Sequence, residues 1–103
     1  MKNVLSTILT IVVLGATSMT MAGDIAAGKA KATICAACHG PNGISLNDLW
    51  PNLAGQKEAY IIKQVKAFRE GTRVDPTMAP MVKPLTDADI ENLAAYFSSL
   101  KSQ

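Results

Sequence analysis

The sequence predicts an all-α domain, and three observations carry that prediction. Two stretches repeat apolar residues at helical spacing: Ile61, Val65 and Phe68 in one, Ile90, Leu93, Ala94 and Phe97 in the other. No run between them alternates apolar and polar residues as a half-buried strand does. The pentapeptide Cys35-Ala36-Ala37-Cys38-His39 sets two thiols three positions apart, a separation that one helical turn brings to the same side.

That pentapeptide also carries chemistry. C-x-x-C-H is the spacing of covalent haem attachment, in which each thiol adds to one vinyl group and the imidazole projects toward the iron. Imidazole is a standard proximal haem ligand. Cys35 and Cys38 are the only cysteines, and His39 is the only histidine. A lone C-x-x-C is otherwise a zinc half-site or a redox dithiol. Zinc takes about four ligands, and the chain has no further Cys or His to supply them. A thioredoxin-like dithiol goes with a βαβ pattern, which is absent. A disulfide across so short a loop would constrain little of the unfolded chain. One haem, covalently held by Cys35 and Cys38 with His39 on the iron, is the reading the residues favour.

Taken in order, residues 1–22 read as a secretory signal peptide. Lys2 supplies the positive end, residues 4–16 (VLSTILTIVVLGA) the apolar stretch, and Ala22 a small residue for cleavage. The apolar run is short for a membrane span and is interrupted by Ser and Thr; an uncleaved N-terminal anchor is the alternative. Residues 23–103 then form one domain of about 80 residues, a size at which a core alone is marginal and staples are common. Its aromatics are only Trp50, Tyr60, Phe68, Tyr96 and Phe97. A covalent haem supplies the missing apolar centre. The formal net charge of the whole chain is +2 at pH 7, with no basic stripe of the kind that nucleic-acid binding leaves.

Asp24 N-caps a first helix that is expected to run through the alanines to Cys35. Gly28 is its weak point, either a tolerated cost or a place where another helix comes close. After His39 the stretch 40–55 is dense in turn residues and reads as loop, with Leu46, Leu49, Trp50 and Leu53 available to pack on a haem edge or a core. A helix follows over residues 58–70, stopped by Gly71. Residues 71–85 read as a second loop, because Pro76, Pro80 and Pro84 forbid a regular helix interior. Met78 and Met81 lie in it, and a thioether is a recognised sixth haem ligand. Thr86 N-caps the last helix, with Asp87, Asp89 and Glu91 near its positive end.

Four segments together resemble the class I c-type cytochromes, and in particular one half of the dihaem periplasmic type. They are CAACHG, PNLAGQ (51–56), TMAPM (77–81) and the LAAYF run (93–97). The resemblance covers essentially all of residues 23–103. It implies the cytochrome c fold, about three main helices wrapped around the haem, with Gly28 of the first helix meeting Tyr96 of the last. It implies that the Pro51 carbonyl holds the second imidazole nitrogen of His39. It also favours Met78 over Met81 as axial ligand, since small bacterial members place that methionine about seven residues before the leucine that introduces the last helix, here Leu85.

The function so implied is electron transfer in the periplasm by a monomeric carrier, not an enzyme, with no bound nucleic acid and no membrane insertion once the signal peptide is gone. Its partners are redox proteins, donor and acceptor unspecified. Two rivals remain. One is a haem enzyme or gas sensor with an open sixth position, for which Tyr60, Arg69 or Arg73 are the candidate pocket residues. The other is a small haem subunit of a larger oxidoreductase.

Overall fold

The computed structural model describes residues 6–12 and 23–103, and among them it contains helices and no strands. Residues 6–12 form neither helix nor strand, and Ile8, Leu9, Ile11 and Val12 are exposed. The rest of the expected signal peptide lies outside the described residues. No described helix is long and apolar enough to cross a membrane.

The domain begins with α1 (Ile25–Lys31), whose N-terminus is capped by the Asp24 carboxylate accepting from Ala27 N at 3.1 Å. The helix does not run on to Cys35 as an α-helix. It tightens into a 3-10 turn over Ala32–Ile34 before α2 (Ala36–His39). A 3-10 turn is a common way for a helix end to tighten, and here Cys35 sits at the joint between the two elements. Helix α3 (Glu58–Glu70) ends at Gly71, whose φ of 83° is the left-handed conformation that favours glycine at this position. Helix α5 (Asp87–Ser99) opens with a reciprocal capping box: Thr86 Oγ1 accepts from Asp89 N, and Asp89 accepts from Thr86 N.

The stretch 71–85 departs from expectation. Met78–Val82 form a short helix, α4, with Pro80 inside it. Prolines break a helix by position rather than by number. Pro76 lies in the first turn, closed by Ala79 N donating to Asp75 O, where its missing N–H leaves nothing unpaired, and Pro84 follows the C-cap Lys83. Only Pro80 removes an intrahelical donor, and the helix is correspondingly short.

The core is built on α5. Ile90 and Ala94 are fully buried, and Leu93, Tyr96 and Phe97 nearly so. Against them pack Ile61 and Phe68 of α3, Val82, Leu85 and Ala32. Helix α1 crosses α5 with Gly28 at the contact. A Cβ there would overlap the Asn92 carbonyl oxygen and lie 2.8 Å from Tyr96 Cβ, so the approach admits only glycine. Arg69 ties α3 to the entry of α5. Its guanidinium donates to Leu85 O at 3.1 Å and to Asp87 Oδ1 at 2.7 Å, and that bond holds the Asp87 carboxyl below its ordinary range.

Candidate functional site

The site is assembled from the turn at Cys35–His39 and the two loops beside it. His39 closes α2 and is buried. Its backbone N–H donates to Cys35 O at 2.9 Å, so the turn that carries the thiols also sets the imidazole. His39 Nδ1 stands 2.8 Å from the carbonyl oxygen of Pro51. A carbonyl only accepts, so Nδ1 carries the proton and the lone pair is left on Nε2. Nε2 makes no hydrogen bond among the described residues, yet no buried side-chain nitrogen or oxygen there lacks a partner. Nε2 therefore opens on accessible space, which is the arrangement of a metal-ligating imidazole oriented from behind.

The loop over residues 40–55 is irregular but well tied. Gly43 O accepts from Leu53 N and Ala54 N at 2.8 and 3.0 Å. Asn52 Oδ1 accepts from Ser45 N at 2.8 Å. Gly55 N donates to Phe97 O at 2.9 Å, which anchors the loop on α5. These bonds fix Pro51 O opposite His39. Asn52 was not singled out by the sequence, and a side chain bonding a backbone seven residues away leaves no local signal.

Cys35 and Cys38 are free thiols, both half-buried. Burial first, and the neighbouring Cys38 second, push the Cys35 thiol up to about 11. Cys35 and Met78 pack against the edge of the core together with Leu53, Ile62 and Val65, and His39 and Met78 lie near each other. Met81 points outward, 43% exposed. The candidate pocket residues of the open-iron rival are engaged elsewhere or exposed. Arg69 is held at α5 as described, Arg73 donates to Gln64 Oε1 at 2.8 Å and lies over the Phe68 ring, and Tyr60 is half-exposed.

These residues fit a covalently held haem. Two thiols stand on one turn, an imidazole has Nε2 free, and a thioether lies nearby. Leu46 and Leu49 on the loop after His39 are 96% and 83% exposed, and Leu46 and Trp50 line a recess of about 300 Å³ beside Cys38. Such apolar surface is what a large apolar ring would cover. Among the described residues no three Cys, His, Asp or Glu side chains group as a bare metal site, as the zinc reading would need.

Comparison with known proteins agrees with this chemistry. The cytochrome c family model matches residues 25–101. The chain is 50% identical over 78 residues to cytochrome c4 of Thiocapsa roseopersicina, covering 75% of this chain and 40% of that protein. It is 46% identical over 81 residues to cytochrome c-554(548) of Halomonas halodenitrificans, covering 76% of this chain and 98% of the relative. The crystal structure of reduced recombinant cytochrome c4 from Pseudomonas stutzeri superimposes with a TM-score of 0.74 at 43% identity, over 78% of this chain and 47% of that one. The chain thus spans about half the length, or less, of the cytochromes c4 it matches. The cofactor of this domain is haem c, and the Cys35, Cys38 and His39 spacing is the one it requires. The chain belongs to the cytochrome c family and is a class I c-type cytochrome.

Proposed function

We propose that this protein is an exported electron carrier, working in the periplasm as a monomer, with one haem held by thioethers at Cys35 and Cys38 and ligated by His39 and Met78. The observation that carries the reading is the bond from His39 Nδ1 to Pro51 O, which leaves Nε2 of a buried ring unbonded among the described residues. The bound haem supplies a one-electron couple at iron. The chain's own residues do the rest. Pro51 O holds the imidazole in one tautomer and orientation, which would limit ligand reorganisation on a bound iron. Met78, which lies near His39, would be the second protein ligand to the iron; a thioether ligand would leave less room for oxygen or peroxide and raise the potential relative to harder ligands. Leu53, Ile62 and Val65, packed on the core edge with Cys35 and Met78, would help to exclude water from the bound group and so limit solvent reorganisation during transfer. Coordination closed in this way would favour electron transfer over catalysis. Donor and acceptor are redox proteins that approach an exposed edge of the ring.

Mass spectrometry of the protein purified after export tests this directly. The expected mass is that of residues 23–103 plus one haem, retained after denaturation. A chain without haem contradicts the reading. A haem-bearing chain that still begins at Met1 keeps the chemistry and replaces the cleaved signal by an anchor.

A further inference from the structure

The loop that delivers Met78 is built around a carboxylate that the helical periodicities do not explain. Asp75 Oδ1 accepts from Thr77 N at 2.8 Å and from Met78 N at 2.9 Å, while the Asp75 carbonyl accepts from Ala79 N at 3.0 Å. That is the complete pattern of a helix N-cap. Asp75 occupies the cap, Pro76 the first position, Thr77 the second and Met78 the third. The Thr77 side chain makes no capping bond, so Asp75 alone closes this end. Pro76 reinforces it, because its fixed φ suits the first helical position and it has no N–H to leave unpaired.

Both ends of the segment are tied to the body of the domain. Upstream, Arg73 N donates to Ala67 O at 3.1 Å and the Arg73 guanidinium lies 4.4 Å from the centre of the Phe68 ring, so the chain entering Asp75 is held on α3. Downstream, Lys83 N donates to Ala79 O and Leu85 N to Val82 O, with Val82 and Leu85 buried. Between these clamps the backbone at Met78 has one side-chain partner, and it is Asp75.

We propose that Asp75 is the positioning residue of the axial methionine: by capping α4 through the Met78 amide it holds the thioether in place before it meets the iron. This rests on Met78 being the sixth ligand. The physical reason is preorganisation. An uncapped first turn samples other conformations, and sulfur–iron bonding then has to order it again, which weakens the bond against any competitor.

The test is a titration of the ferric holoprotein with imidazole, which displaces a thioether from haem iron. Asp75→Ala raises the apparent affinity for imidazole about tenfold, equivalent to about 1.4 kcal/mol and within the range for loss of an N-cap. Asp75→Asn, whose amide oxygen caps as well as a carboxylate, stays at the parent's affinity. Thr86→Ala removes the cap of α5 instead; it lowers the denaturant midpoint and leaves imidazole affinity unchanged. If Asp75→Ala does not accumulate as holoprotein, Asp75→Glu carries the same expectation, since it keeps the charge but sets the oxygens a methylene away from the amides. Affinity within twofold of the parent in the uncapped variant overturns the proposal, and so does an equal rise in Thr86→Ala. Met78→Ala is the separate control. If it leaves the ferric spectrum and the imidazole affinity as in the parent, Met78 is not the ligand and the proposal falls with that assignment. If it changes both while Asp75→Ala changes neither, the ligand assignment stands and only the role of Asp75 is lost.

Discussion

Replacing Met78 by alanine lowers the midpoint potential and opens the iron to water or an added ligand, whereas replacing Met81 does neither. The two side chains are three residues apart in α4, but the structure treats them differently. Met78 packs against the edge of the core, while Met81 is 43% exposed. With Met78 as sixth ligand, Met78→Ala abolishes the weak near-infrared sulfur-to-iron band of the ferric protein. The potential falls on the order of tenths of a volt, out of the ~0.8 V that axial ligands span in haem proteins. Met81→Ala keeps the band. Its half-exposed side chain gives up less than the roughly 2–5 kcal/mol of a fully buried methionine. Spectra and voltammetry of the two variants together decide the assignment. Loss of the band in Met81→Ala alone transfers the ligand role and leaves electron transfer intact.

A leucine at position 28 unfolds the domain at a markedly lower denaturant concentration. Overpacking in a core ordinarily costs about 1–3 kcal/mol. Here the obstruction is a backbone carbonyl, that of Asn92, and not the end of a side chain that can swing away. The cost therefore falls at the upper end of that range or above it, because α1 has to move off α5. The move also breaks the bond from Asp24 N to Asn92 Oδ1, 2.8 Å in the parent, which anchors the start of α1 on α5. Gly28→Ala is the graded comparison, with a smaller loss in the same direction, since its Cβ alone already meets that carbonyl. Equal midpoints for Gly28→Leu and the parent contradict the crossing.

What was legible in the sequence is what local spacing encodes. Ile90, Leu93, Ala94 and Phe97 are all buried, and Ile61 and Phe68 face them from α3. The Thr86 cap is likewise a matter of neighbours three residues apart. The resemblance added two contacts that no periodicity contains, Gly28 against Tyr96 and His39 against Pro51. The break of the first helix at Ala32 stayed hidden, because an alanine-rich run favours continued helix and no residue there breaks it. Helix α4 stayed hidden for a different reason. Three prolines in nine residues look like a loop until each is placed relative to the cap at Asp75. The Asp-Pro pair was the available signal, since an acidic residue before proline opens a turn or a helix. The ties of the loop over residues 40–55, such as Asn52 to Ser45 and Gly55 to Phe97, join residues distant in sequence and leave no pattern to read.

The near-infrared spectrum of the unmutated ferric protein tests the central claim, closed His39/Met78 coordination, most directly. A sulfur-to-iron band that persists at neutral pH and fades only when a strong external ligand is added is the expected result. Its absence from the unmutated protein would mean an open or differently ligated iron, and an enzyme or gas sensor would then replace the electron carrier.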